Sequence, residues 1–172
     1  MTNDPGADGR QVGGRYRLLR SLGRGGMGVV WAAHDGLLDR EVAVKEVTYP
    51  TTLDEAQQAQ LRERTLREAR AAARISSSAA VTVYDVVEED GRPWIVMELL
   101  PARSLADVLR EDGPLTTDAA TLLGLRLLDA LSAAHAAGVL HRDVKPANVL
   151  YDASDRPSSP TSASPRWRAT RR

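Results

Sequence analysis

Three short runs of alternating apolar residues constrain this chain more than any other feature. "YRLLRSLG" (16–23), "GVVWAAHD" (28–35) and "EVAVKEVTY" (41–49) each send side chains to opposite faces in turn, the period of a half-buried strand. The glycine-rich "RGGM" separates the first two, so the three predict a small antiparallel meander. From Leu53 to about Ile75 the pattern turns helical, with Leu61, Thr65, Ala72 and Ile75 on one stripe. "VTVYDVVEED" and "RPWIVMELL" then read as a hairpin around Asp90-Gly91, a dipeptide suited to a tight turn. Five strands and one helix are therefore expected in the first hundred residues.

Past Pro101 the character changes. Ser104–Arg110 reads as a short helix after a linker, and a long helix follows from about Thr117 to Ala137, with Thr116 or Thr117 as N-cap and Gly138 at its end. Apolar residues nearly surround that second helix, which predicts burial against more protein than the chain supplies. Residues 1–14 are rich in Gly, Asp and Asn and are expected to be disordered. They contain no signal-peptide core and no window approaches an apolar membrane span, so the chain reads as soluble, unexported and cytoplasmic. A formal net charge of zero gives no reason to expect nucleic acid or a membrane surface as partner. With no cysteine and three scattered histidines, a thiolate or zinc site is not expected.

The basic residues are unequal: 21 arginines stand beside two lysines, Lys45 and Lys145. An ammonium is a compact point charge that a guanidinium fork does not replace at every site. "VAVK" alternates so that Ala43 and Lys45 share one face while Val42 and Val44 share the other. A lysine so placed can neutralise phosphate oxygens if a carboxylate holds it. Glu68 is the candidate holder, being the only acid on the apolar stripe of the 53–75 helix; the alternative is a surface pair with Arg64, four residues earlier. Glu63 lies on the polar face. Gly23, Gly25 and Gly28 form a GxGxxG run joining strand to strand, a setting that disfavours a dinucleotide fold and suits either a phosphate flap or a plain hairpin tip.

With "HRDVKPAN" at 141–148, these motifs resemble those of a eukaryotic-like protein kinase of the bacterial serine/threonine type, over about residues 16–157. The resemblance implies an α+β fold with a complete N-terminal lobe at 15–100, and a hinge with the first part of a mostly helical lobe at 101–157. It implies an enzyme that moves the γ-phosphoryl group of ATP, with Mg2+, to Ser/Thr hydroxyls of proteins. Asp143 would be the base, Lys145 the charge beside the moving phosphoryl group and Asn148 a magnesium ligand. Leu22, Val30, Ala43 and Met97 would line the adenine pocket, with the backbone of Glu98 and Leu100 on the purine. His141 and Arg142 read as a packing histidine and a phosphate-responsive arginine, and "ISSSAAVTVY" departs from the family's usual His-Pro turn.

The family's Asp-Phe-Gly should fall near Thr161, yet the chain has no phenylalanine at all. Shifted by one base, permitted codons for Thr161-Ser162-Ala163 read Asp-Phe-Gly, and "SSPTSASPRWRATRR" becomes Val-Leu-Thr-Asp-Phe-Gly-Ile-Ala-Pro-Val-Glu-Gly-Asp-Ala-Thr. A frameshift after Pro157 is the expectation, with 158–172 a disordered, out-of-frame tail and negligible activity in the chain as written. The alternative is a non-catalytic nucleotide-binding fragment. A nucleic-acid-binding tail built on Arg166, Arg168, Arg171 and Arg172, with Trp167 alone to stack, is a third and weaker reading.

Overall fold

The computed structural model describes residues 9–25, 28–50 and 52–151 and the backbone of 168–169. They fall into two units, one of residues up to Ala73 together with Thr82–Leu99, the other of Arg74–Val81 together with the residues from Leu100 on.

The first unit is a sheet with one helix. Its strands are β1 (Gln11–Val12), β2 (Tyr16–Gly25), β3 (Gly28–Asp35), β4 (Arg40–Val47), β5 (Val83–Glu89) and β6 (Arg92–Met97), with α1 (Glu55–Ala73) between β4 and β5. All neighbours are antiparallel, in the order β1-β2-β3-β4-β6-β5. Alternation decides the core, as expected. Val29, Trp31, Ala33, Val42, Val44, Trp94 and Val96 face one way and cluster with Val12, Tyr16 and Leu18. The β5–β6 turn is made by Asp90 and Gly91, both at positive φ (52° and 70°), the conformation that an Asp-Gly pair supplies at little steric cost.

The sheet has one strand more than the sequence pattern predicts. Residues 9–14, expected to be disordered, form a strap: Val12 is fully buried, Arg10 lies over the Trp94 ring at 5.2 Å, and the Gly13 amide donates to Glu89. Gly13 is required there, because φ is +59° and a Cβ would collide with Val87. One buried valine and one stacked arginine give the strap enough burial to hold it, without any periodicity that a sequence could display.

A buried ionic knot ties the strap end to the sheet. Asp35 is fully buried and takes a bidentate bond from Arg15 (2.6 and 2.7 Å) and amide bonds from Leu37 and Leu38. The Arg15 guanidinium, opposed by burial and aided by the two amides, holds its carboxyl well below the usual carboxylate range. Tyr16 donates to Asp85 at 2.8 Å, and burial, followed by that bond, pushes its phenol upward.

The second unit holds β7 (Arg103–Ser104), α2 (Leu105–Glu111), α3 (Thr117–Ala136), a 3-10 turn at Pro146–Asn148, β8 (Val149–Tyr151) and β9 (Arg168–Ala169). The strands pair in the order β7-β8-β9. Ser104 caps α2 by accepting from the Asp107 amide, and Thr116 caps α3 by accepting from that of Ala119, the role that short hydroxyl side chains fill at helix starts. Gly138, at φ +74°, ends α3. Leu105 and Val149 form a small core with Leu115, Leu123, Leu127 and Tyr151 packed against it.

Candidate functional site

The register of the first unit settles which residues share the face opposite its core. Lys45 stands across from Val30 on β3 and Ile95 on β6, and Ala43 from Ala32 and Met97. Directly opposed residues of neighbouring strands point the same way. Val30, Ala43, Lys45 and Met97, each singled out from sequence, therefore stand on one face. Ala32 and Ile95 join them; the alternation of β3 and β6 carried that signal, though no motif did. Leu22 lies where β2 shifts register between Ser21 and Gly23, and is half exposed. The Glu98 amide donates to Thr82 at 2.9 Å.

The three glycines separate by cause. A Cβ on Gly28 would collide with the Glu46 carbonyl, and its φ is +129°, so the fold itself requires glycine. A Cβ on Gly23 or Gly25 would meet nothing within 4 Å. Among the described residues nothing asks for glycine at those two positions, whereas a ligand that must approach the backbone would. Gly26 and Met27 lie outside the described residues.

Glu68 is not where the stripe argument put it. Its carboxylate accepts from Arg64 Nε at 3.0 Å and is 56% exposed, the surface arrangement that was the alternative. The physical reason is the helix's footing: α1 packs on β5 and β6, and its buried residues are Ala69 and Ala72. With such small side chains at the contact, Glu68 remains on the flank, where a charge keeps its water.

The second unit contributes a tight polar loop. Arg142, at φ +60°, adopts a left-handed conformation that is uncommon for a side chain of its size and is tolerated where surrounding structure enforces it. Asp143 follows. Its amide donates to His141 Nδ1 (3.3 Å), its Oδ1 lies 3.2 Å from Lys145 Nζ, and Asn148 Nδ2 donates to both its carbonyl (2.8 Å) and its Oδ2 (2.9 Å). Pro146 opens the 3-10 turn that returns the chain, and the Asn148 amide closes it onto the Lys145 carbonyl at 2.8 Å. Asn148 is 3% exposed, beside Val149, also 3%, so the burial of β8 anchors the asparagine. A carboxylate flanked by an ammonium and an amide is poised to accept a proton while positive charge waits beside it.

Comparison with known proteins shows the family. The protein kinase domain family matches residues 16–157. The chain belongs to the protein kinase family. It is 43% identical over 145 residues to a probable serine/threonine-protein kinase of Corynebacterium efficiens, covering 82% of this chain and 21% of the relative. It is 42% identical over 142 residues to serine/threonine-protein kinase PknE of Mycobacterium tuberculosis, covering 83% of this chain and 24% of the relative. The chain thus spans less than a quarter of these relatives' length. The crystal structure of the Mycobacterium tuberculosis PknI kinase domain superposes with a TM-score of 0.73 at 26% identity, covering 99% of this chain and 62% of that one. The family match ends at residue 157, the last position before the expected break in reading frame. The Asp-Phe-Gly interval and the arginine-rich tail lie outside the described residues, apart from the backbone of 168–169. Among the described residues no helix is long and apolar enough to cross a membrane, and no group of three or more His, Asp or Glu could hold a metal ion.

Proposed function

We propose that this kinase chain carries the nucleotide-binding face and the catalytic loop of an ATP-dependent serine/threonine protein kinase, and that as written it binds nucleotide with negligible transfer. The observation that carries the reading is the Asp143 carboxylate held between Lys145 Nζ (3.2 Å) and Asn148 Nδ2 (2.9 Å). In this reading Val30, Ala43 and Met97 take the adenine, with Leu22 at the rim and the backbone of Glu98 and Leu100 on its edge. The Glu98 amide is bonded to Thr82, which supports its carbonyl as the purine contact at that residue. Gly23, Gly25 and Gly28 let the hairpin backbone approach phosphates, and Lys45 neutralises them.

At the loop, Asp143 accepts the proton of a substrate Ser or Thr hydroxyl as its oxygen attacks, and Lys145 balances charge on the moving phosphoryl group. Asn148 suits a hard cation in one respect: its Nδ2 is committed to Asp143, which orients Oδ1 as the ligating atom. Magnesium, when bound, would neutralise phosphate charge. One amide oxygen is a thin site for an ion that prefers carboxylates, and the interval after Asp143 that supplies one in this family reads Thr-Ser-Ala at 161–163. Losing a metal carboxylate from a reaction that runs on positioning and charge neutralisation costs orders of magnitude in rate.

Titration with ADP, with and without magnesium, and a radiolabelled ATP assay test this. Saturable binding lost in Lys45→Ala, without turnover, is expected. Turnover abolished by Asp143→Asn would show the chain active as written, and absence of nucleotide binding would remove the site. Resequencing across codons 155–160 tests the frameshift separately.

A further inference from the structure

The two sides of α3 differ. Leu123 and Leu127 pack toward Leu105 and Val149, and Ala130 and Ala134 are buried. The opposite side presents Thr121, Leu125, Leu128, Ser132 and His135, all exposed, at the alternating spacing of four and three residues that lines up along one helix face. Asp129 stands at the flank of this stripe, open to water. Gly124 stands at the other flank, where a Cβ would meet nothing within 4 Å. Among the described residues nothing requires glycine there, although it weakens a helix interior, whereas a second backbone passing close by would.

The stripe reads alike in both directions. α3 runs from Thr117 to Ala136, and about its midpoint Leu125 exchanges with Leu128, Thr121 with Ser132 and Asp118 with His135. Laid antiparallel on a second copy, the face gathers four leucines at the centre and sets a threonine beside a serine on either side of them. At each end Asp118 of one copy turns toward His135 of the other, so acid meets base twice. Antiparallel packing also opposes the two helix dipoles. A two-fold contact requires such self-complementarity, while a partner of another sequence gives no reason for it.

We propose that α3 pairs antiparallel with α3 of a second copy of this chain, through Leu125 and Leu128, in a weak two-fold dimer. The pairing is independent of the proposed nucleotide site. One face of a 20-residue helix, about 30 Å long, is smaller than a standard stable interface, so association belongs in the micromolar range.

The test uses the full chain in sedimentation equilibrium across micromolar concentrations. A monomer–dimer equilibrium is expected, lost in Leu125→Glu/Leu128→Glu and unchanged in Leu37→Glu/Leu38→Glu, which alters an exposed leucine pair of the sheet unit. Geometry is read separately, and that reading stands even if the first glutamate pair disturbs folding. The chain has no cysteine, so Thr121→Cys and Ser132→Cys each introduce a single thiol. Antiparallel pairing brings these two positions within disulfide reach and keeps like positions about 16 Å apart. Mild oxidation should therefore cross-link a mixture of the two variants and leave each variant alone unlinked. A monomer at every concentration, open-ended aggregation, a dimer that survives Leu125→Glu/Leu128→Glu or is lost in Leu37→Glu/Leu38→Glu, or cross-linking of like positions overturns the inference.

Discussion

The sheet unit gathers Tyr16, Leu18, Trp31, Val42, Val44, Trp94 and Val96 into one buried cluster closed by Val12 of the strap, whereas the helical unit has only Leu105 and Val149 buried in its described cluster and leaves Leu125 57% and Leu128 61% exposed on α3. The difference lies in the period of the two elements. A sheet delivers every second residue to one side, and here a short strap suffices to close that side. A helix apolar nearly all round can be satisfied only by neighbours on several sides. The sheet residues proposed to meet nucleotide thus rest on a finished core, while Asp143 and Asn148 rest on the short β8 and one 3-10 turn.

The largest test of that contrast is Trp94→Ala. Truncating a fully buried indole should cost about 3–5 kcal/mol and unfold the sheet unit at low urea, read by far-ultraviolet circular dichroism. A cost below about 1 kcal/mol would mean the cluster is not a single core. Asp35→Asn comes next, at about 1–3 kcal/mol, because Arg15 retains some access to water when its carboxylate partner is neutralised. The pH dependence has a definite sign. Asp35 is depressed in the folded chain, so its contribution is present above the unfolded carboxylate pKa near 4 and is lost as pH falls toward the folded value. Urea midpoints measured from about pH 5 downward should fall more steeply for the unsubstituted chain than for Asp35→Asn. Parallel slopes would remove Asp35 as the acid-sensitive group.

What could be read in advance tracks how locally each feature is encoded. The Asp90-Gly91 turn, the Thr116 cap and the 141–148 loop are each specified within a few residues, and the structure forms all three. The strap is different: Val12 is a lone apolar residue among glycines, and its stability comes from Trp94 and Glu89, some eighty residues away. Glu68 shows a subtler limit. Helical periodicity places it beside a buried stripe but does not choose between a strand lysine and an arginine one turn back, and the shallow alanine footing decided for the arginine. Gly23 and Gly28 carry the same letter for different reasons, one open to solvent and one pressed against Glu46, and spacing alone does not tell them apart.

The smallest expected effect sharpens the contrast from the helical side. Leu125 and Leu128 contribute little to folding while they face water, so replacing both with Glu should leave the urea midpoint within about 0.5 kcal/mol of the unsubstituted chain, since glutamate sustains a helix nearly as well as leucine. The same pair presents contiguous apolar surface of the kind that draws chains together. Light scattering at rising protein concentration should therefore fall in Leu125→Glu/Leu128→Glu and be unchanged in a control such as Arg126→Gln on the same helix. A loss of stability comparable with that of Trp94→Ala would mean that α3 already has a cover on that face, and the two units would then differ in degree only.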